Sequence, residues 1–305
     1  MARPPEPSSL TIEFLLGIDG GGSGTRVVLA RRDGPVLGRG EAGPSALGQG
    51  IAQAWRNVER ACRAAFDAAR LPVPPWDRCA AGAGLSGISN RPWRDAFVAA
   101  NIGFARLEAE TDSFVMLLGA HRGKPGAILA VGTGSVAEAL RPDGSRHTVG
   151  GWGFPAGDEG SGAWLGLHAV RHAQCALDGR VNAGPLARRV WALCGDERDT
   201  LQDWCDGAGQ FAYAQLAPAV FECEGTDPAA ASLLLEATAA LETMALAVDP
   251  KGRLPLAVCG SIGLRLAPRL APAVRSRLVP AAQGPAAGAL MLIRQAAHAE
   301  MEELV

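Results

Sequence analysis

The sequence contains two glycine-rich loops, and each follows an apolar segment that has the composition of a buried strand. The first loop, residues 20–24, follows Phe14–Asp19, and the second, residues 132–134, follows Ile128–Val131. Glycine lets the backbone turn sharply, and consecutive main-chain N–H groups in such a turn form a site for an anion. One loop of this kind is as consistent with a plain hairpin as with phosphate binding. Two loops at matching positions of a repeated unit favour a polyphosphate held from two sides, as a nucleotide between two domains would be.

The residues of these loops predict how a nucleotide would be bound. Asp19 ends the first strand, and we expect it to hold Mg²⁺ through water, since Mg²⁺ keeps most of its hydration shell. The hydroxyl groups of Ser23 and Thr133 are expected to add hydrogen bonds to the phosphates. Contacts with the β- and γ-phosphates are expected from both loops and the residues that follow them: Gly20, Gly21, Gly22, Ser23 and Thr25 in the first, and Gly132, Thr133, Gly134 and Ser135 in the second.

Composition restricts the class of protein. The chain has 305 residues, of which 48% are hydrophobic and 20% charged, and its formal net charge is −2. These values are typical of a globular protein of two domains and give no indication of a nucleic-acid surface. The Pro-rich N-terminus lacks the apolar segment of a signal peptide, so we expect residues 1–10 to be disordered. Seven scattered cysteines without a CxxC pair indicate reduced thiols in a cytoplasmic protein.

The order of predicted elements is that of a duplicated α/β unit. Three strands in hairpin order are followed by the amphipathic helix Ile51–Ala69 and then by alternating strands and helices. A comparable order restarts near Gly126, after which helices dominate from Ala163 to Val248 and a last strand lies near Leu278–Pro280. The predicted domains are residues 11–119 together with the C-terminal helix 286–305, and residues 120–285, with a cleft between them.

A third segment narrows the interpretation. The block Gly150–Gly162 reads GGWGFPAGDEGSG, and a short helix is predicted directly after Thr111-Asp112. With the two glycine loops, these residues resemble the N-acetylglucosamine kinase and bacterial glucosamine kinase branch of the sugar kinase, actin and heat-shock chaperone ATPase superfamily. This branch includes the BadF/BadG/BcrA/BcrD ATPases. The resemblance implies two actin-like (ribonuclease H-like) α/β domains with a central nucleotide and sugar cleft, an ATP- and Mg²⁺-dependent kinase, and an amino-sugar substrate.

The resemblance also implies roles for individual residues. Asp112 would be the general base that accepts the proton of the sugar 6-hydroxyl. An Asp in this place could also be the N-cap of the helix that follows, but Thr111 is an equally suitable cap, which would leave Asp112 for catalysis. Glu159 would support the side chain of Asp158 or orient the water shell of the metal ion. The sugar would contact residues of the Gly150–Gly162 block and two others: Ser45, Asp112, Gly151, Trp152, Asp158 and Glu159. The adenosine would lie against Gly260, Ser261 and Gly284.

Two positions depart from the pattern of the family. Ala46 and Val136 stand where many relatives have Asn, and both changes remove hydrogen-bonding groups near the sugar. They leave open whether N-acetylglucosamine or glucosamine is the preferred substrate. The resemblance and the frequency of twofold symmetry together predict a homodimer, without a nucleic-acid or membrane partner.

Other interpretations of the sequence remain. One is an ATPase of the BadF/BcrA type that activates a partner enzyme through an iron–sulphur cluster, which would need cysteine ligands that the spacing does not indicate. Another is a non-catalytic sugar sensor, against which the presence of both Asp19 and Asp112 argues. His168 and His172, four residues apart on a predicted helix, could bind a metal ion, but no third ligand is evident.

Overall fold

A computed structural model describes residues 12–32 and 34–303, with side chains described up to residue 297. The predicted disordered tail, residues 1–10, lies outside the described residues. Two compact units make up the chain: the first runs to Lys124 and resumes at Ala281, and the second is Pro125–Pro280.

The strands and helices are numbered here in chain order. The strands are β1 (Phe14–Gly20), β2 (Thr25–Arg31), β3 (Val36–Ala42), β4 (Cys79–Leu85), β5 (Arg106–Thr111), β6 (Gly126–Val131), β7 (Ser135–Leu140), β8 (Arg146–Gly150) and β9 (Leu256–Cys259). The helices are α1 (Ile51–Ala68), α2 (Arg91–Ala99), α3 (Asp112–His121), α4 (Gly162–Leu177), α5 (Pro185–Cys194), α6 (Arg198–Gly207), α7 (Gln210–Ala214), α8 (Ala217–Cys223), α9 (Pro228–Val248), α10 (Ser261–Leu266), α11 (Pro272–Arg275) and α12 (Pro285–Glu303).

The first unit contains a five-stranded mixed sheet in the order β3-β2-β1-β4-β5. β1 runs antiparallel to β2 and parallel to β4. Apolar residues alternate on the two faces of these strands, so each face is covered by a separate group of core residues. One face packs against α1, which buries Trp55, Val58 and Phe66. This arrangement leaves the C-terminal ends of β1, β4 and β5 at one edge of the sheet, where chain turns and functional side chains can gather.

The other face of this sheet is covered by α12, and glycine makes the contact possible. A Cβ atom on Gly17 of β1 would overlap the carbonyl oxygen of Ala286, and one on Gly82 of β4 would overlap that of Ala289. The backbone of α12 therefore lies directly on these two strands. It buries Leu290 and Ile293 there.

The second unit contains a four-stranded sheet in the order β8-β7-β6-β9. β6 pairs antiparallel with β7 and parallel with β9, which repeats the beginning of the first unit. The strand predicted near Leu278–Pro280 is not formed. A single parallel bridge joins Leu278 to Leu256 instead, because Pro280 has no N–H group with which to continue the pairing.

Helix α9 is the one helix among the described residues whose length and composition would allow it to cross a membrane. Its inner face, including Leu234, Leu241 and Val248, is buried in the core of the second unit. Packing within this unit therefore accounts for the apolar character of the helix.

Candidate active site

The first glycine loop joins β1 to β2 in a tight hairpin. The N–H of Gly21 donates to the carbonyl of Gly24 at 3.0 Å, and the carbonyl of Gly21 accepts from the N–H groups of Ser45 (3.0 Å) and Ala46 (3.2 Å). A Cβ atom on Gly21 would meet no atom within 4 Å. These hydrogen bonds fix the conformation of the loop. The space next to the Cα atom of Gly21 is open, so a ligand can approach the backbone there.

Two carboxylates lie near this loop at the edge of the sheet. Burial, with a smaller effect of the negative charge of Asp112, raises the pKa of Asp19 to about 6 against the opposing effect of the Arg26 guanidinium. Nη1 of Arg26 lies 3.7 Å from Oδ2 of Asp19. The structure therefore brings together Asp19 and Asp112, which are far apart in the sequence. An ionised Asp19 is poorly solvated, which is the condition under which a carboxylate gains most from a cation.

Asp112 stands at the start of α3, directly after β5. The N-cap of this helix is Thr111, whose Oγ1 accepts from the N–H of Phe114 at 3.1 Å, so of the two residues that the sequence allows as the cap it is Thr111 that serves. Oδ1 of Asp112 accepts from the N–H of Ser113 at 2.9 Å. One carboxylate oxygen is therefore fixed by the main chain, which sets the orientation of the side chain.

The side chains of Thr25 and Ser45 lie inside the protein next to the first loop. Both side chains are buried, their hydroxyl oxygens lie 2.7 Å apart, and the Thr25 hydroxyl is also 2.7 Å from the carbonyl oxygen of Gly43. The predicted contacts of Thr25 with a phosphate and of Ser45 with a sugar would therefore have to be made by main-chain atoms in this conformation.

The second glycine loop, between β6 and β7, is bound to the start of α4. The N–H of Gly162 donates to the carbonyl of Gly132 at 2.9 Å, and that of Ala163 to the carbonyl of Thr133 at 3.1 Å. These two donors belong to the first turn of the helix, whose N–H groups have no partner inside the helix. The loop carbonyls are thereby turned toward α4. A Cβ atom on Gly132 would meet nothing within 4 Å.

Asp158 and Glu159 complete the environment of this loop. Asp158 is buried, and its Oδ1 accepts from the N–H of Ser135 at 3.1 Å while its Oδ2 accepts from Nε2 of Gln210 at 2.7 Å. The Ser135 hydroxyl donates to the carbonyl of Glu159 at 2.7 Å. Burial raises the pKa of Asp158, and the Ser135 hydrogen bond opposes that shift. Gln210 was missed at the level of sequence, because nothing in the pattern links it to a carboxylate 52 residues earlier.

The Gly150–Gly162 block presents an exposed aromatic ring. Trp152 is 86% exposed, although tryptophan is usually among the more buried residue types. Gly150, Gly151 and Gly153 around it all have positive φ values, between +70° and +85°, which side chains rarely adopt. The glycines therefore shape a turn that holds the indole out of the core, where it can meet a ligand.

The residues predicted to contact adenosine occupy two different units. Gly260 in the second unit has a φ of +87°, and a Cβ atom there would overlap the carbonyl of Val131 at the end of β6. Ser261 begins α10, next to this contact. Gly284 in the first unit precedes α12, and a Cβ atom on it would meet nothing within 4 Å. Their common role remains a prediction.

The histidine pair on α4 has a simpler explanation than a metal site. Nδ1 of His168 lies 2.8 Å from the carbonyl oxygen of Trp164, and the two rings are 3.9 Å apart. Among the side chains that the structure describes, in residues 12–32 and 34–297, three or more of His, Cys, Asp or Glu do not come together in an arrangement that could hold a metal ion.

Comparison with known proteins decides the family. The model of the BadF/BadG/BcrA/BcrD ATPase family matches residues 16–253. The chain belongs to this family. The resemblance inferred from the sequence is therefore confirmed. The prediction of two actin-like α/β domains is confirmed as well, because the two mixed sheets are those of the related sugar kinases.

Individual relatives are similar to this chain over most of their length. The glucosamine kinase GspK of Vibrio cholerae is 31% identical over 288 residues, which cover 94% of this chain and 98% of the relative. The N-acetyl-D-glucosamine kinase of Dictyostelium discoideum is 26% identical over 279 residues, covering 81% and 85%. The solved structure of a provisionally assigned N-acetylglucosamine kinase from Chromobacterium violaceum has a TM-score of 0.88 and 47% identity, covering 92% of this chain and 99% of that one.

Proposed function

We propose that this member of the BadF/BadG/BcrA/BcrD ATPase family is an ATP-dependent kinase that phosphorylates the 6-hydroxyl of an amino sugar, N-acetylglucosamine or glucosamine. Relatives that align along most of the chain are named as glucosamine kinase and N-acetyl-D-glucosamine kinase. The observation that carries the proposal is the proximity of Asp19 and Asp112 beside an open glycine loop. Asp19 is suited to hold a metal ion, and Asp112 is suited to accept the proton of the sugar hydroxyl.

The residues fit a magnesium nucleotide. Asp19 is poorly solvated and would gain a cation partner, and the open backbone at Gly21 and at Gly132 leaves room for phosphate oxygens. When bound, Mg²⁺ supplies positive charge that offsets the charge of the phosphates. Asp19 would hold this ion through water. The phosphate oxygens would be bound by the main-chain N–H groups of Gly22, Ser23, Thr133 and Gly134, since those of Gly21, Gly132 and Ser135 donate within the protein. Gly260, Ser261 and Gly284 would accommodate the adenosine.

Asp112 would act on the sugar. Its main-chain hydrogen bond from Ser113 sets the orientation of the carboxylate that would meet the 6-hydroxyl. As the 6-oxygen bonds to the γ-phosphorus and the bond from that phosphorus to the β,γ-bridging oxygen breaks, Asp112 accepts the hydroxyl proton and ADP leaves. Such a base contributes about 10²–10⁴-fold in rate. Positioning of the two substrates supplies most of the remainder, because the transition state is loose.

The sugar would lie against the Gly150–Gly162 block. The exposed indole of Trp152 offers an apolar face to a pyranose ring, and the turn at Gly151 brings main-chain groups toward its hydroxyls. Asp158 would accept from sugar hydroxyls through lone pairs beyond the two already used, since an ionised carboxylate has about four acceptor sites. Glu159 would assist Asp158, and a main-chain atom of Ser45 would contribute a further contact.

The preference between the two amino sugars is left open by Ala46 and Val136, and the structure shows the surroundings of Val136. A Cβ atom on Gly151 would lie 3.1 Å from Cγ2 of Val136, so an apolar side chain borders the proposed sugar site. This side chain offers no hydrogen bond to an N-acetyl group or an amine. Both sugars therefore belong in the test.

The test is a screen for sugar-dependent release of ADP. Purified protein with MgATP would be assayed with glucosamine, N-acetylglucosamine, glucose and mannosamine, and the product identified by mass and by its 6-phosphate resonance. We expect turnover with glucosamine or N-acetylglucosamine and little with glucose. ADP release that does not depend on any added sugar would contradict the proposal and favour an ATPase that serves a partner enzyme.

We also propose that the kinase is a homodimer that works in the cytoplasm, where ATP is available. Twofold symmetry is the commonest arrangement of soluble oligomers. Light scattering coupled to gel filtration would measure the mass in solution, and a mass near the 31.5 kDa of one chain would contradict the dimer.

A further inference from the structure

Asp158 links two segments that the proposed function assigns to different substrates. It belongs to the Gly150–Gly162 block, proposed to bind the sugar, yet its Oδ1 accepts from the main chain of Ser135, which ends the second glycine loop. The Ser135 hydroxyl in turn donates to the carbonyl of Glu159. The two segments are therefore joined by two hydrogen bonds, both donated by Ser135.

The fit between Asp158 and the loop is close. A Cβ atom on Gly134 would lie 2.8 Å and 2.9 Å from the two oxygens of Asp158, so the loop backbone touches the carboxylate. Asp158 itself has a φ of +62°, a conformation uncommon for residues other than glycine, asparagine and aspartate. We therefore expect the position of the Asp158 carboxylate to depend on the hydrogen bonds that its side chain makes.

Gln210 is the side chain that holds it. Nε2 donates to Oδ2 of Asp158 at 2.7 Å, a short hydrogen bond to a buried carboxylate. The amide nitrogen must face the carboxylate, because an ionised carboxylate can only accept. Hydrogen bonds to charged groups are stronger than those between neutral groups.

The location of Gln210 is fixed by the helix on which it stands. Gln210 is the first residue of α7, and α7 packs directly on α4: a Cβ atom on Gly166 would overlap the carbonyl of Tyr213. The start of α4 donates to the carbonyls of Gly132 and Thr133. Helix α4 therefore supports the second glycine loop directly, and through α7 and Gln210 it also supports Asp158.

We propose that Gln210 is a positioning residue of the kinase reaction, which holds the Asp158 carboxylate against the second glycine loop so that the loop presents its N–H groups to the nucleotide phosphates. This inference rests on the proposed function. It assigns to Gln210 an effect on nucleotide binding and on turnover, although Gln210 itself touches neither the phosphates nor the reacting oxygen.

The decisive variant is Gln210→Glu, which keeps the size of the side chain and replaces the donor with a second carboxylate. At neutral pH the two carboxylates repel each other. The variant supplies no cation to offset this repulsion, and Glu159, next to Asp158 in sequence, is acidic as well. At lower pH one of the pair gains a proton and becomes a donor, which restores the hydrogen bond. Gln210→Ala removes the donor at every pH. Gln215→Glu is the matched control, because Gln215 is exposed and lies directly after the same helix.

Two measurements are made on each variant: the affinity for an ATP analogue that cannot be hydrolysed, and the turnover number with the sugar that the wild-type chain prefers, both from pH 5 to pH 8. We expect Gln210→Glu and Gln210→Ala to lose about tenfold or more in nucleotide affinity at pH 8. The loss should shrink toward pH 5 for Gln210→Glu alone. Gln215→Glu should stay within twofold of the wild type throughout.

Affinities of both Gln210 variants within twofold of the wild type would overturn the inference. A loss in Gln210→Glu that persists unchanged at pH 5 would overturn it too, since a general structural defect would not respond to protonation of the pair. The binding measurement separates this inference from the proposed function, because a wild-type chain that binds the analogue without phosphorylating any amino sugar would contradict the function alone.

Discussion

The carboxylate of Asp19 and the guanidinium of Arg26 face each other across the first hairpin, on directly paired positions of β1 and β2, with 3.7 Å between Oδ2 and Nη1. The arginine is largely exposed and the aspartate is not. The cation therefore compensates only part of the cost of burying the carboxylate, and the pKa of Asp19 remains raised at about 6.

This shift predicts that the ionised carboxylate of Asp19 destabilises the folded protein when no metal ion is bound. The pKa of Asp19 rises from an ordinary value of 3.8 to about 6 on folding, so the folded chain binds more protons between these values. The free energy of unfolding therefore falls as the pH rises from about 4 to about 6, by up to about 3 kcal/mol. We expect Asp19→Asn to raise the free energy of unfolding of the metal-free protein by about 1–3 kcal/mol at pH 7.5 and by less at pH 4.5.

Urea unfolding in the presence of a chelator, at both pH values, measures this effect. Asp67→Asn on α1 is the control, since Asp67 is exposed and its substitution should alter stability equally little at either pH. An Asp19→Asn variant that is less stable than the wild type at pH 7.5 would show that Asp19 is stabilised by partners in the folded chain.

Asp112→Asn should separate binding from turnover. Asparagine keeps an oxygen that can accept from the N–H of Ser113, so the start of α3 should be preserved. The amide cannot accept the proton of the sugar hydroxyl, and we expect the turnover number to fall about 10²–10⁴-fold while nucleotide affinity changes less than threefold. Asp95→Asn, at an exposed position of α2, serves as the control in the same steady-state assay. Turnover within tenfold of the wild type would remove Asp112 from its proposed role.

Trp152→Ala should affect the sugar and leave the fold unchanged. The indole is 86% exposed, so its removal takes little apolar surface out of the core. If the ring stacks on the pyranose, the Michaelis constant for the sugar should rise about tenfold, with a smaller rise in Trp152→Phe. Leu235→Ala on α9, which removes another exposed apolar side chain of the same unit, should leave that constant unchanged. An equal Michaelis constant in Trp152→Ala would place the sugar elsewhere.

Much of the first sheet could be predicted from the sequence because local signals agree there. A continuous apolar run and the glycines that follow it fix the hairpin, and the predicted strand Phe14–Asp19 differs from β1 only in that β1 also includes Gly20. The spacing of apolar residues likewise fixes α1, which differs from the predicted helix only by ending at Ala68. The start of α3 could be placed as well, although the sequence allowed both Thr111 and Asp112 as its N-cap and only the structure identifies Thr111.

What the sequence could not indicate are contacts between segments that are distant in the chain. The hydrogen bond from Gln210 to Asp158 depends on how α7 packs against α4. This packing is close at Gly166, but nothing in the sequence around Gly166 indicates that a second helix lies against it. Burial has the same character. Ser45 has the residue type of a polar ligand contact, yet its hydroxyl is enclosed beside Thr25, and only tertiary packing determines this.

Packing of α12 on the first sheet gives a last prediction, at Gly82. A Cβ atom on Gly82 would overlap the carbonyl oxygen of Ala289 and lie 3.2 Å from Cβ of Ile293, so Gly82→Ala must push the helix away from β4. Because backbone atoms on both sides cannot yield as a flexible side chain would, we expect a loss of about 2–4 kcal/mol in the free energy of unfolding. Gly207→Ala is the matched control, since a Cβ atom there meets nothing within 4 Å and the residue ends an exposed helix turn. Equal midpoints of thermal unfolding for the two variants would mean that α12 does not lie against β4 as closely as the structure has it.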